Sequence, residues 1–277
     1  MKPTNTSAYL REFINFGRLK SVPVIDTHTH MGSVYGVSSP VCEIEDCLQL
    51  MDEENIRMIW CAAHGDLFAP DAEDANGVTR RLAERYPQRV KGYYVFNPNH
   101  ADLYEKHFQT VKSDSRWIGF KVLPNYHNRP LDAPFYENML RFAEENKLIV
   151  LSHTWGVLPH NSTREVAHIL ERHPDLYFII GHSAPGECRE AIALAKKYPH
   201  VYLDLCDIHR HSGIIDAMAE GAGTDKILFG TDLPWYDPNY CIGSVLCANI
   251  TDEDREKIFF RNAEKILQEL NKQESCI

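Results

Sequence analysis

The sequence predicts an α/β fold, a single (β/α)8 TIM barrel, and two observations carry that prediction. Short β-branched or aromatic runs alternate with charged stretches of helical spacing, eight times over in 277 residues. The chain also has no low-complexity tract, Ser/Gly-rich linker, long charge block or fixed-period repeat that would divide it into separate units. Eight strand-then-helix units fit a barrel of about 250 residues. A doubly wound sheet would carry fewer strands and often a Gly-rich first turn, which is absent. The barrel is expected over residues 21–277, closed by a C-terminal helix and preceded by a short helical extension over 1–20.

Taken in order, the strands are expected at 24–27, 57–62, 90–96, 117–123, 148–152, 176–180, 201–205 and 226–229. Helices are expected to begin near Glu43, Asp71, Ala101, Pro134, Thr163, Gly186, Ser212 and Thr251. Ser162 followed by Glu165 makes a capping box, whose side chains satisfy the first free amides of a helix. Asp132 with Pro134 fits an N-cap followed by a first-turn proline. In the extension, Tyr9, Phe13, Ile14 and Phe16 mark an amphipathic helix packed on the barrel.

Composition excludes some functions. With 39 acidic against 29 basic residues the formal charge is −10, which argues against nucleic acid as a partner. The N-terminal twenty residues hold no apolar stretch long enough for a signal peptide or membrane span. No membrane partner is therefore expected. The eight cysteines, with no CxxC pair, read as reduced thiols of a cytoplasmic protein. The histidines, 14 in all, are the unusual feature.

A barrel collects its chemistry at the C-terminal ends of its strands. The first strand reads VIDTHTH, placing His28 and His30 two residues apart on one face, about 7 Å along the backbone. Two imidazoles so placed can converge on one metal ion at about 2.1 Å each. LIVLSH ends on His153, FIIGH on His182 and KILFGTD on Asp232, so an apolar run stops each time at a metal-binding side chain. Closure brings the last strand beside the first, and Asp232 near the histidine pair. GHSAPG lacks the second glycine of a serine nucleophile elbow, and no phosphate-binding glycine loop occurs.

The chain resembles the amidohydrolase superfamily, and most closely its Amidohydrolase-2 branch. The resemblance spans roughly 22–270 and rests on VIDTHTHMG, GFKVLP, IVLSHTWG, FIIGHSAPG, ILFGTDLPW and REKIFFRNAEKIL. It implies that His28, His30, His153 and Asp232 hold a catalytic divalent metal, with His182 as proton carrier. Lys121, in GFKVLP, is either a carbamylated bridge between two metals, as in two-metal members, or a charge partner for substrate or for a barrel carboxylate. One ion is expected, most readily zinc (Zn2+), with manganese (Mn2+) also suited to the donors.

From those donors follows a hydrolase that attacks an amide, ester or lactone carbonyl of a small anionic molecule with metal-activated water. The branch also contains non-oxidative decarboxylases, so a lyase on the same site is the alternative. Asp232 and His182 are the expected proton-handling groups. Substrate contacts are expected from Tyr126, Arg129, Trp155, Arg210 and Trp235 in the loops after the strands, although Arg129 and Arg210 could instead neutralise Asp132 and Asp207. Related barrels often form homodimers.

Overall fold

The computed structural model describes residues 7–32, 43–67 and 76–270. Eight parallel strands follow one another in sheet order: β1 (Val24–Thr29), β2 (Ile56–Cys61), β3 (Val90–Val95), β4 (Trp117–Val122), β5 (Ile149–His153), β6 (Tyr177–Gly181), β7 (Val201–Asp204) and β8 (Ile227–Leu228). All eight expected strands are present. The last is shorter than the pattern suggests, because only Ile227 and Leu228 pair with β7. The barrel closes through the segment that follows. Thr27 donates its N–H to the Phe229 carbonyl at 2.8 Å, Asp232 to that of His28 at 2.9 Å, and His30 to that of Leu233 at 2.8 Å.

Side-chain alternation splits the apolar residues into two layers. Tyr93, Leu151, Ile179, Tyr202 and Leu228 fill the inside, while Phe120, Val150, Phe178, Leu203 and Phe229 face the surrounding helices. Between those layers the polar strand ends collect at one rim.

The helix over Thr163–Arg172 starts on the expected capping box, with the Glu165 carboxylate accepting from the Ser162 N–H at 2.9 Å. At Pro134 the outcome differs. Pro134 does open a 3-10 turn, Pro134–Tyr136, leading into Glu137–Glu145, but its cap is Ala133, and Asp132 instead binds His168 at 2.7 Å. The helix start near Asp71 falls outside the described residues; a helix over Gly77–Arg85 follows them. After β8 an additional helix, Pro238–Cys247, precedes the terminal one; its mixed apolar face has little helical period to announce it. In the N-terminal helix, Ala8–Phe16, Tyr9, Leu10 and Phe13 pack on the core whereas Ile14 and Phe16 face solvent. Among the described residues no helix is long and apolar enough to cross a membrane.

The terminal helical segment, Asp252–Glu269, is tied to the end of the helix Pro238–Cys247 and the loop after it by one buried cation. Arg255 is 1% exposed and donates to the carbonyls of Leu246 (3.0 Å), Ala248 (2.7 Å) and Ile250 (2.8 Å) and to the Asp252 carboxylate at 2.9 Å. Arg255→Met keeps most of the volume but strands three carbonyls. It should cost about 3–5 kcal/mol in urea unfolding; a loss under about 1 kcal/mol would show the network to be unimportant.

Candidate metal centre and active-site cavity

β1 delivers His28 and His30, both buried, to the barrel rim. Their hydrogen bonds settle which nitrogen of each ring is free. His30 Nδ1 lies 2.8 Å from the Ala62 carbonyl, which can only accept, so Nδ1 carries the proton. His28 Nδ1 lies 2.6 Å from Asp204 Oδ2, which also accepts the His182 N–H at 3.0 Å. Both Nε2 lone pairs are thereby turned toward each other, 3.2 Å apart, and toward Asp232 Oδ1, at 3.5 Å from His28 and 3.3 Å from His30.

That Asp232 oxygen is buried and has no hydrogen-bond partner, and neutral imidazoles bring no proton to share. Burial, then the neighbouring Lys121, hold His28 well below its ordinary pKa, and burial takes His182 down to about 4. Three convergent donor atoms, of which only His28 Nε2 has a cationic neighbour in Lys121, are what a divalent ion requires. The residues present therefore fit a metal ion.

Around this trio the other expected residues take distinct places. His153 lies outside it, with Nδ1 2.9 Å from His182 Nε2. His182 Nδ1 is buried without a hydrogen-bond partner, 4.0 Å from Asp232 Oδ2. Lys121 is fully buried, its Nζ 2.8 Å from His28 Nε2, and burial lowers its pKa to about 8. An ion taking the lone pair of His28 Nε2 must displace that lysine contact.

Local sequence explains how the rim is shaped. Gly230 lets the last turn approach β7 and β1: an added Cβ would sit 2.1 Å from Asp204 Oδ1 and 3.0 Å from His28 Cβ. Thr231 then bonds Asp26, N–H at 3.2 Å and Oγ1 at 2.5 Å, which anchors the residue before Asp232. Asp232 and His182 both stand at positive φ, 62° and 58°, so the backbone is strained where the two side chains are presented.

Above the trio opens a cavity of about 270 Å³. Its polar floor is His30, Lys121, His153, His182 and Asp232, and its walls include Leu123, Tyr126, Trp155, Trp235 and Tyr236. Tyr126, Trp155 and Trp235 thus line it as expected. The two arginines do not. Arg210 pairs with Asp207 at 3.0 Å, and Arg129 donates to Asn99 at 2.8 Å with its guanidinium 4.7 Å over Phe135. An aromatic well this size takes a small ring-bearing ligand.

Sequence reasoning misses Asp204 and takes Asp207 only as a salt-bridge partner. Asp204 can be found by the rule that finds the others, since VYLD is an apolar run ending on a carboxylate. Asp204→Asn should weaken metal binding about ten- to a hundredfold by loosening the orientation of His28. Titration calorimetry checks this, and unchanged affinity would remove Asp204 from the centre.

Fold and donor set together define a metal-ligating barrel enzyme. The chain belongs to the amidohydrolase family, Amidohydro_2, which it matches over residues 25–268. It is 23% identical over 291 residues to a gamma-resorcylate decarboxylase of Polaromonas sp. (strain JS666 / ATCC BAA-500), covering 83% of this chain and 89% of that one. A gamma-resorcylate decarboxylase of Rhizobium radiobacter is 24% identical, with 82% and 88% covered. In fold it is similar to the crystal structure of 2,6-dihydroxybenzoate decarboxylase from Rhizobium, with TM-score 0.73 and 16% identity over 89% of this chain and 99% of that one. A dihydroxybenzoic acid decarboxylase from Polaromonas sp. JS666, solved with bound manganese, gives TM-score 0.70 and 17% identity over 89% and 97%.

Proposed function

We propose that this protein is a metal-dependent, non-oxidative decarboxylase of a small hydroxylated aromatic acid, using one divalent ion. The observation that carries the reading is the unpartnered, buried Asp232 carboxylate oxygen facing two imidazole lone pairs at the floor of an aromatic-walled cavity. The decarboxylase names of the relatives support this reaction over the hydrolysis expected from the donors alone. Manganese, bound in a solved neighbour, is the ion to try before zinc.

His28, His30 and Asp232 would hold the ion, with His153 the proposed fourth ligand. An ion held there would supply Lewis-acid chemistry to the bound substrate. The chain's residues do the rest. Trp155, stacked on His153, and Trp235, stacked on His64, wall the cavity and would keep water from the reacting carbon. Lys121 places a positive charge beside the acid group. Loss of CO2 breaks one C–C bond and leaves its electron pair on the ring, so one proton must arrive at that carbon. Asp232 and His182 are the groups placed to deliver it, with His182 Nδ1 free to hold a proton 4.0 Å from Asp232.

A panel of hydroxybenzoates, esters and lactones presented to the manganese-loaded protein tests this. Release of one CO2 per acid consumed is expected. Ester or lactone cleavage without CO2 would return the site to the hydrolase reading.

A further inference from the structure

We propose that Asp207 is a specificity-determining residue that accepts a hydrogen bond from a hydroxyl on the substrate ring. The inference rests on the decarboxylase reading above and concerns which ring edge the cavity recognises.

Three observations converge on Asp207. First, it is 2% exposed and lines the cavity, beyond the end of β7. Outside the floor the cavity carries the hydroxyls of Tyr126 and Tyr236 and the indole N–H groups of Trp155 and Trp235, and the Tyr236 hydroxyl already donates to Asp207 Oδ1. Asp207 is therefore the one carboxylate among the described lining residues that stands outside the floor, where it can meet the part of a ring that points away from the metal-binding residues.

Second, its backbone is held in a conformation few side-chain-bearing residues adopt. Asp207 stands at φ 60° and ψ −43°, and the Ile208 N–H donates to the Cys206 carbonyl at 2.6 Å across it. That is a γ-turn of the rare, strained hand, which glycine would occupy far more readily. A salt bridge three residues along the chain needs no such turn. His182 and Asp232, the other cavity residues at positive φ, are the two groups assigned proton work, so strain here accompanies side chains presented to the cavity.

Third, the carboxylate is fixed but not saturated. Tyr236 donates to Oδ1 and the Arg210 guanidinium to Oδ2 at 3.0 Å, which leaves acceptor capacity on both oxygens. Both neighbours are donors, so the group a substrate offers must also be a donor. A phenolic hydroxyl meets that requirement; a methoxy group does not.

The test uses the manganese-loaded protein and hydroxybenzoates in which each ring hydroxyl is replaced in turn by methoxy. Both kcat/KM and, by calorimetry, Kd are measured. Wild type should prefer the hydroxyl at one ring position by about 10- to 100-fold. Asp207→Gly, which suits the turn, should lose that preference, with the hydroxyl compound losing far more in kcat/KM and Kd than the methoxy compound. Asp207→Asn, which keeps the side-chain shape, covers the case in which the glycine variant fails to fold and should lose most of the preference. Tyr236→Phe should retain it.

Variants at Asp207 that keep the full hydroxyl preference would overturn the inference, as would its loss in Tyr236→Phe alone. Failure of the decarboxylase reading is separately visible, as wild type that releases no CO2 from any member. The Kd comparison then still decides the role of Asp207.

Discussion

Replacing Asp232 by asparagine should lower kcat/KM about a thousandfold or more, with little change in stability. The size follows from two duties meeting on one side chain. Asp232 completes the donor trio with His28 and His30, and it is one of two groups placed to protonate the substrate carbon. The small cost to folding follows from its bonding. One carboxylate oxygen has no hydrogen-bond partner and the other lies 4.0 Å from His182 Nδ1, so few native contacts are lost. Asparagine also tolerates the positive φ of 62° at this position. Thermal unfolding of the metal-free variant should fall only slightly below that of metal-free wild type, since the neighbourhood that holds the Asp232 carboxyl well below the usual carboxylate range, and the buried Lys121, lose an opposite charge. Retention of a tenth or more of the activity, roughly 1.4 kcal/mol or less in barrier, would take Asp232 out of the chemistry.

Stripping the metal should abolish turnover without unfolding the barrel. The core is built from two apolar layers that do not depend on the centre, so the metal-free protein keeps its circular dichroism. Returning manganese should restore activity at one ion per chain. At free metal a hundredfold above Kd it should stabilise the fold by about 2.7 kcal/mol. His28→Ala and His30→Ala should neither regain activity nor gain stability on addition. Two ions per chain would favour the bridging role for Lys121, and undiminished activity in protein shown by mass spectrometry to be metal-free would refute the metal dependence itself.

The barrel is legible in the sequence because short β-branched or aromatic runs alternate with charged stretches of helical spacing, and the runs that stop at a polar residue expose His153, His182 and Asp232. It fails where chemistry depends on a bond rather than a residue type. Nothing in HxH says that His28 leans on Asp204, and nothing in GFKVLP places Lys121 against His28 at 2.8 Å. Loop residues are the least readable. Tyr126, Trp155 and Trp235 reach the cavity, but Arg129 is drawn to Asn99 and Phe135, and Arg210 to Asp207. Such preferences are settled by whichever partner lies nearest after folding. The unusual turn at Asp207 is invisible in the sequence around it for a related reason, since no glycine announces it.

Decarboxylation in heavy water, with the manganese-loaded enzyme and a hydroxybenzoate that it consumes, tests the central claim most directly. Mass spectrometry and NMR of the product should find one deuterium on the ring carbon that bore the carboxylate, matched by one CO2, and none of either from the Asp232→Asn variant. A product that keeps its carboxylate, or that acquires oxygen from solvent instead of a ring deuterium, would contradict the decarboxylase account.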